Sequence, residues 1–327
     1  MKKSHLIIGF LGVALFAWVI AHISLAELVR ELRAIGVALP IVLTLSLCRL
    51  VLQSITWSAS LDGQNAPAPI KKLMGVRLAS QSMGYLTVFG PVLSEPMKIK
   101  LLGTSTEPTA AATFLDDGVY WFTTALVAIS GIVCLLLIAV HGAASHWIPA
   151  VLVLASFVLV INHHDPILSG VVRAFGRHTP SWLTRAEKFE ASVRAYRIEQ
   201  PALVKRMFWL DVACQILTAS EVVVVLWALH LPIHFLAVLA IEGITRSVKL
   251  VSGWIPARLG SDEGGAVSAF ALTGFSPASG LALALTRRVR DLLWALVGIS
   301  WLLWNSRHLE RQDATGPMRA ALPKEAL

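Results

Sequence analysis

The sequence predicts an all-α polytopic membrane protein with about eight hydrophobic segments, namely six full transmembrane helices and two shorter helical hairpins. Three observations support this fold class. Hydrophobic residues make up 56% of the 327 residues and charged residues 15%, so the polar surface is too small to cover a water-facing globule. The mean hydropathy of +0.69 agrees with this composition. Apolar runs of about 20 residues, the length that crosses a bilayer core, recur along the chain.

Six of these runs are predicted to be full transmembrane helices. They cover residues 5–23, 36–61, 118–140, 147–161, 207–230 and 289–304. A signal peptide is an alternative for the first run, because Lys2 and Lys3 precede it and Ser24-Leu25-Ala26 resembles a cleavage site. The run is longer than the about 7–15 apolar residues of a signal peptide, which favours a retained helix.

The basic residues predict the orientation of the chain. The segment 162–206 is rich in Lys and Arg, whereas the connections at 141–146 and around residue 231 contain neither. Lys and Arg are enriched in cytoplasmic loops, so this segment and both termini are predicted to be cytoplasmic. The basic residues of the segment are Arg173, Arg177, Arg185, Lys188, Arg194, Arg197, Lys205 and Arg206.

With this orientation, each of two further segments enters and leaves the membrane on the same side. Residues 73–115 begin and end on the cytoplasmic side, and residues 231–288 begin and end on the opposite side. We therefore predict two hairpins, either re-entrant or made of short broken helices. The single membrane domain of residues 1–327 then divides into a first half (1–161), a cytoplasmic loop (162–206), a second half (207–304) and a cytoplasmic tail (305–327).

The two hairpins have similar sequence patterns. Each contains a segment interrupted by Gly and Pro, at residues 89–96 and 255–264, followed by Gly103 or Gly274. A charged pair begins thirteen residues after each glycine, Asp116-Asp117 directly after the first hairpin and Arg287-Arg288 at the end of the second. Paired interrupted segments of opposite topology are typical of inverted-repeat transporters.

Charged residues within the predicted spans and hairpins are candidates for a functional site. A charge at the membrane centre costs about 2.5–3.5 kcal/mol on insertion scales, so it must pair or line a wet cavity. The candidate substrate-binding residues are Glu95, Lys98, Lys100, Arg258, Asp262, Glu263, Arg287 and Arg288. The supporting intramembrane charges are Arg49, Asp116, Asp117 and Glu221. Further charges in the same zone are Arg77, Asp211, Glu242, Arg246, Lys249, Arg290 and Asp291.

Structural roles are alternatives for several of these residues. Glu95 and Glu263 lie near predicted helix starts, where a carboxylate interacts favourably with the helix dipole without binding a substrate. The arginines at the start of the last span also fit a position at the membrane–water interface, without a role in substrate binding. Arg49 lies in an apolar helix and fits a structural pair with an acid such as Glu221 or Asp211.

Several classes of function lack their sequence signals. The chain has no zinc-ligand spacing, nucleophile elbow or Walker sequence, and its three cysteines form no disulfide framework. Without these signals we expect no metal and no cofactor. The chain also has no basic stripe interleaved with aromatics, so we expect no nucleic-acid partner. An intramembrane lipid-modifying enzyme is the alternative to a transporter, with Asp116 and Asp117 holding a divalent metal.

The motifs of both hairpins resemble the flippase-like membrane region of the lysylphosphatidylglycerol synthase family. The matching segments are Gly-Pro-Val-Leu-Ser-Glu-Pro-Met-Lys at residues 90–98 and Ile-Pro-Ala-Arg-Leu-Gly-Ser-Asp-Glu-Gly-Gly at 255–265, with Gly274 after them. Arg287 or Arg288 ahead of Gly298 fits the last helix of the family. Ser-Glu-Pro followed by Lys98 is similar to stand-alone members associated with hopanoid biosynthesis. The run before Glu95 differs from the glycine-rich run that is commoner in the family, which leaves the substrate open.

This resemblance implies a lipid transporter of the bacterial inner membrane that moves a hopanoid, an anionic lipid or a lipid-linked headgroup. Membrane lipids are the expected partners, and lipid-biosynthesis enzymes are candidate partners. Synthase members carry a soluble aminoacyl-transferase domain after the membrane region. The chain ends soon after its last predicted span, so no aminoacyl-transferase activity is expected.

The predicted orientation can be tested with single cysteines in a background without Cys48, Cys134 and Cys214. Arg185→Cys and Arg311→Cys should be shielded from a membrane-impermeant thiol reagent in intact cells, because both positions are predicted to be cytoplasmic. Leu231→Cys, on the opposite side, serves as the labelled control. Labelling of either cytoplasmic position from outside contradicts the orientation.

Overall fold

A computed structural model of the chain describes residues 25–86, 90–103, 107–141, 199–252, 255 and 258–319. The described residues form α-helices and short connections, with no β-strand among them. The predicted spans at 5–23 and 147–161, and the basic loop up to residue 198, lie outside the described residues. The all-α fold class is confirmed.

The helices form two groups along the chain. The first group contains α1 (Leu25–Gly36), α2 (Leu39–Gly63), α3 (Ile70–Leu86), α4 (Gly90–Leu102) and α5 (Glu107–His141). The second group contains α6 (Pro201–Ala228), α7 (Phe235–Val251), α8 (Ser261–Leu272) and α9 (Pro277–Arg319).

Proline and glycine set several of the helix boundaries. Proline occupies the first turn of α2 and of α6, where its missing N–H lacks an intrahelical partner in any case. Gly103 follows α4 with φ +72° and Gly274 follows α8 with φ +84°. A left-handed residue after a helix ends it, and glycine adopts this conformation without strain. The glycines that match in the sequence therefore have matching conformations.

Three of the described helices are long and apolar enough to cross a membrane, namely Leu39–Gly63, Pro108–Ala139 and Pro201–Ala228. They contain most or all of the predicted spans 36–61, 118–140 and 207–230. The predicted span 289–304 lies inside α9 and is not one of the three, since Arg290 and Asp291 lower the hydropathy at its start. Its exposed side chains are nevertheless apolar except for Ser300, and they include Leu296 and Trp304, which are 63% and 77% exposed.

The two groups of helices are interleaved. The helix α3 packs against α9, and α7 packs against α5, so the first helix of each hairpin contacts the long helix of the other group. Extensive contacts also join α2 to α6, α3 to α4, and α8 to both α7 and α9. This arrangement places the charged ends of α5 and α9 next to the centre of the bundle.

The crossing of α5 and α7 depends on two glycines. A Cβ atom added at Gly243 would lie 2.4 Å from Gly131 Cα and 3.1 Å from the Ala128 carbonyl oxygen. The crossing of α3 and α9 is also close, because a Cβ atom at Gly298 would lie 2.4 Å from the Leu78 carbonyl oxygen. Glycine allows two helix backbones to approach at distances that a side chain forbids.

The replacement Gly243→Ala should lower the free energy of unfolding by about 1–3 kcal/mol, because the added methyl meets backbone atoms that cannot move aside. Gly264→Ala is the matched control, since no atom lies within 4 Å of its added Cβ. The control should be neutral or stabilising by up to about 1 kcal/mol. Thermal unfolding of the detergent-solubilised protein measures both. Equal midpoints for the two variants contradict the crossing.

Candidate functional site

Two consecutive acids on α5 form ion pairs with α3 and α4. The Arg77 guanidinium on α3 lies 2.5 Å from Asp116 Oδ2, and Lys98 Nζ on α4 lies 2.6 Å from Asp117 Oδ1. Arg77 also donates to the Gln53 carbonyl oxygen and lies over the Trp57 ring. Both basic side chains are about 5% exposed, so these are interior ion pairs.

Two consecutive arginines on α9 form the corresponding ion pairs with α7 and α8. Arg287 Nη2 lies 2.6 Å from Glu242 Oε2 on α7, and Arg288 Nη2 lies 2.5 Å from Glu263 Oε1 on α8. Glu263 is fully buried and also accepts a hydrogen bond from the Gly260 N–H at 2.8 Å, which caps the start of α8. Helix capping and charge pairing therefore occur together at Glu263.

The signs of the paired charges are reversed between the two sets of helices. Among α3, α4 and α5, the long helix supplies two acids to these pairs and each shorter helix supplies one cation. Among α7, α8 and α9, the long helix supplies two arginines and each shorter helix supplies one acid. Both charged pairs begin thirteen residues after a left-handed glycine. The same positions thus perform the same packing task with opposite charge.

A larger ionic network joins α6, α7 and α9. Arg287 lies between Glu242 and Glu221, and Glu221 also forms an ion pair with Arg290. Arg246 pairs with Glu242 at 2.7 Å, one helical turn away. Removing one partner of such a buried network leaves a charge without compensation in a low-dielectric environment, so the network fixes the three helices together.

A cavity of about 420 Å³ lies between the two groups of helices, and we refer to it as the central cavity. Residues of α2, α3, α4, α5, α6, α7 and α9 line it. Its charged lining is mostly basic and consists of Arg49, Arg77, Lys98, Arg246, Lys249, Arg258 and Arg290, with the acids Asp117 and Asp291. Of the other acids in the ion pairs, Asp262 lines an adjoining space, and Asp116, Glu221, Glu242 and Glu263 line neither space. A concave surface with an excess of one charge attracts ligands of the opposite charge.

Uncharged hydrogen-bonding groups complete the lining of the central cavity. They are Ser46, Gln53, Gln81, Ser82, Tyr85, Ser94, Tyr120, Thr124 and Thr218. Tyr120 accepts a hydrogen bond from Arg246 at 3.3 Å, and Arg258 lies 5.9 Å from the centre of the Tyr85 ring. The cavity can thus offer both charged and neutral donors to a polar ligand.

Arg258 has an unusual backbone conformation at the edge of the cavity. Its φ is +47°, a left-handed value that is uncommon for a residue with a side chain. Its guanidinium forms an ion pair with Asp262 at 3.1 Å. Strain of this kind persists where surrounding contacts hold the residue, and it often marks functional positions.

The structure separates ten of the twelve predicted site residues into three sets. Lys98, Arg258, Arg49 and Asp117 line the central cavity. A smaller adjoining space, which shares Tyr85, Lys249 and Asp291 with the cavity, is also lined by Asp262, Arg287 and Arg288. The acids Asp116, Glu221 and Glu263 line neither space and are paired with arginines. Lys100 is exposed and lines neither space, and the side chain of Glu95 lies outside the described residues, although its backbone belongs to α4.

Five charged residues of the cavity lining were not predicted as site residues, although the sequence places them among the intramembrane charges. They are Arg77, Arg246, Lys249, Arg290 and Asp291. The cost of charge in an apolar helix marks them as clearly as it marks Lys98.

Arg49 forms no ion pair among the described residues; the expected pairing with Glu221 or Asp211 is wrong because Arg287 and Arg290 occupy Glu221. Arg49 instead donates to the Thr218 hydroxyl at 3.4 Å.

The comparison with protein families gives one match. A family model for the lysylphosphatidylglycerol synthase TM region matches residues 6–299. The matched range includes the helices α1 to α8, the first part of α9 and every residue that lines the central cavity. No curated protein and no solved structure matches the chain.

The pair between Arg288 and the fully buried Glu263 should be strongly coupled. Arg288→Gln leaves the Glu263 charge without compensation and should cost about 3–5 kcal/mol of stability. The double variant with Glu263→Gln should recover much of this loss. Arg258→Gln is the matched control, because its pair with Asp262 is 28% and 18% exposed and should contribute only about 0–1 kcal/mol. Thermal unfolding of the wild type, the Arg288→Gln and Glu263→Gln single variants, the double variant and Arg258→Gln measures the coupling. Purely additive effects of the two changes at 263 and 288 contradict it.

Proposed function

The chain belongs to the lysylphosphatidylglycerol synthase TM region family, and we propose that it moves a lipid across the bacterial inner membrane by passing the headgroup through the central cavity. The observation that carries this proposal is a cavity with seven basic and two acidic lining residues in a chain whose long helices are apolar. A polar headgroup would enter the cavity while the hydrophobic tail remains in the bilayer. The proposed lipids are those with an anionic or lipid-linked headgroup, or a hopanoid.

The proposed transport mechanism is a rocking movement of two halves related by an inverted repeat. Three observations support the repeat, namely the matching left-handed glycines, the reversed ion pairs and the reciprocal packing of α3 on α9 and α7 on α5. Inverted repeats commonly place a binding site at their interface, and alternating access follows when one repeat moves against the other.

The distribution of ion pairs agrees with such a movement. Each ion pair formed by the described side chains joins residues of the same half. Contacts between the halves are of other kinds, such as the neutral hydrogen bond from Trp294 to Ser46 and the charge-assisted ones from Arg246 to Tyr120 and from Arg49 to Thr218. Breaking a buried ion pair costs several kcal/mol, whereas a neutral hydrogen bond contributes about 0.5–1.5 kcal/mol and one to a charged group about 1.5–3 kcal/mol. The halves can therefore move relative to each other without breaking an ion pair among the described side chains.

The enzyme alternative receives less support from the geometry. Asp116 and Asp117, the acids suggested for a divalent metal, are each paired with a cation, Arg77 or Lys98. A metal at this position would have to displace both cations. Within the described residues, no group of three His, Cys, Asp or Glu side chains is arranged to hold a metal ion.

Transport can be tested by blocking the cavity without removing a charge. Gln81→Trp places a large side chain in the cavity lining and should slow lipid movement between leaflets at least about tenfold, a barrier increase of about 1.4 kcal/mol. Ile129→Trp adds the same side chain on an exposed apolar surface and should transport like the wild type. The measurement is leaflet-specific quenching of labelled lipids in proteoliposomes.

Two results decide against transport. Wild-type protein that leaves every tested lipid class in its original leaflet contradicts the proposal. A chemically altered lipid formed in detergent micelles, where no leaflets exist, favours the enzyme alternative. Lipid mass spectrometry after incubation with the purified protein detects such a product.

A further inference from the structure

Two cations of the central cavity have no carboxylate partner among the described side chains. They are Arg49 on α2 and Lys249 on α7, and neither lies within 4 Å of an acidic side chain described in the structure. Every other cation of the cavity lining forms an ion pair: Arg77 with Asp116, Lys98 with Asp117, Arg246 with Glu242, Arg258 with Asp262, and Arg290 with Glu221 and Asp291.

The acids that interact electrostatically with these two cations already have cation partners. Asp262, which acts on Lys249, pairs with Arg258, and Asp291, which acts on both, pairs with Arg290. Arg246, Arg287 and Arg290 form a connected network with Glu221, Glu242 and Asp291, in which three positive charges meet three negative ones. Asp291 accepts from both Arg290 Nε and Arg290 Nη2, at 3.0 Å and 2.8 Å. Arg49 and Lys249 therefore add two positive charges that the network does not balance.

The two unbalanced cations belong to one place in the structure. Both line the central cavity, and both interact electrostatically with Asp291, which lines the same wall. Arg49 is held by its hydrogen bond to the Thr218 hydroxyl, which leaves most of its guanidinium N–H groups for a ligand. Lys249 adjoins Tyr85, which supplies a hydroxyl donor.

We propose that Arg49 and Lys249 bind the terminal phosphate of a lipid phosphomonoester; this inference rests on the proposed function and names its substrate class. A phosphomonoester carries a charge of about −1.5 to −2 at neutral pH, which matches two unpaired cations. A phosphodiester carries a single negative charge and would leave one of the two cations unbalanced. The planar guanidinium can form paired hydrogen bonds to two phosphate oxygens, and the ammonium group acts as a compact point charge on the third.

The expected preference for a phosphomonoester over a phosphodiester can be tested in wild-type protein with two lipids of nearly equal shape. Phosphatidic acid is a monoester, and phosphatidylmethanol differs from it by one methyl group and one negative charge. Phosphatidic acid should bind to the detergent-solubilised protein at least about tenfold more tightly, or about 1.4 kcal/mol. Ligand-induced thermal stabilisation, titrated with each lipid, measures both affinities. Equal affinities overturn the proposal without any variant being needed.

Variants assign the recognition to the two cations. Arg49→Gln and Lys249→Gln should each abolish most of the preference for phosphatidic acid, whereas Lys249→Arg, which keeps the charge, should retain it. Lys71→Gln is the control, because it removes an exposed cation that does not line the cavity. A preference that survives both glutamine variants overturns the assignment. Titration with inorganic phosphate tests whether the ligand is a lipid or the free anion. If inorganic phosphate binds as tightly as phosphatidic acid, the site binds the free anion and the proposal of a lipid ligand is overturned.

Transport measurements separate this inference from the function on which it rests. Selective movement of labelled phosphatidic acid over labelled phosphatidylmethanol in proteoliposomes supports both. Equal movement of the two lipids, undiminished in the glutamine variants, supports a lipid transporter and overturns the phosphomonoester site. Selective binding of phosphatidic acid without movement of any lipid supports the site and contradicts transport.

Discussion

The cost of placing charge among apolar helices governs how this bundle is held together. Consecutive residues of an α-helix point about 100° apart, because the helix has 3.6 residues per turn. Asp116 and Asp117 can therefore reach two different neighbours, and they pair with Arg77 on α3 and Lys98 on α4. Arg287 and Arg288 reach α7 and α8 in the same way. One dipeptide on each long helix thus fixes a unit of three helices.

Contacts of a different kind join these three-helix units. The glycines at the crossings of α5 with α7 and of α3 with α9 bring backbones into direct contact. The polar contacts across the boundary include neutral hydrogen bonds, such as Trp294 to Ser46, and charge-assisted ones, such as Arg246 to Tyr120. The units are therefore ionic inside, and their boundary has no ion pair among the described side chains. In the proposed rocking movement, this boundary is the place where the units would shift without breaking an ion pair.

The sequence was sufficient to predict the fold class, three of the described spans and the helix break between α7 and α8. These features depend on local properties, namely apolar run length and the conformations of Gly and Pro. The interruption predicted at residues 89–96 is wrong for its described part, because α4 continues from Gly90 to Leu102 with Pro96 inside the helix. The partners of the charges were not predictable, because Arg77 and Asp116 are 39 residues apart and their pairing depends on how the helices pack. Lys98 and Lys100 illustrate the limit. Two residues apart on one helix, they point in nearly opposite directions, so that one is buried and the other exposed.

The ion pairs around the cavity also explain how two cations remain available inside it. An unpaired lysine or arginine in an apolar environment would approach the nearest carboxylate if one were free. Arg290 holds Asp291 with two N–H groups, and Arg287 and Arg290 share Glu221, so neither acid is available to Arg49 or Lys249. The neutral network thus keeps both cations directed at the cavity. Preorganised charges of this kind strengthen binding because the protein need not reorganise when the ligand arrives.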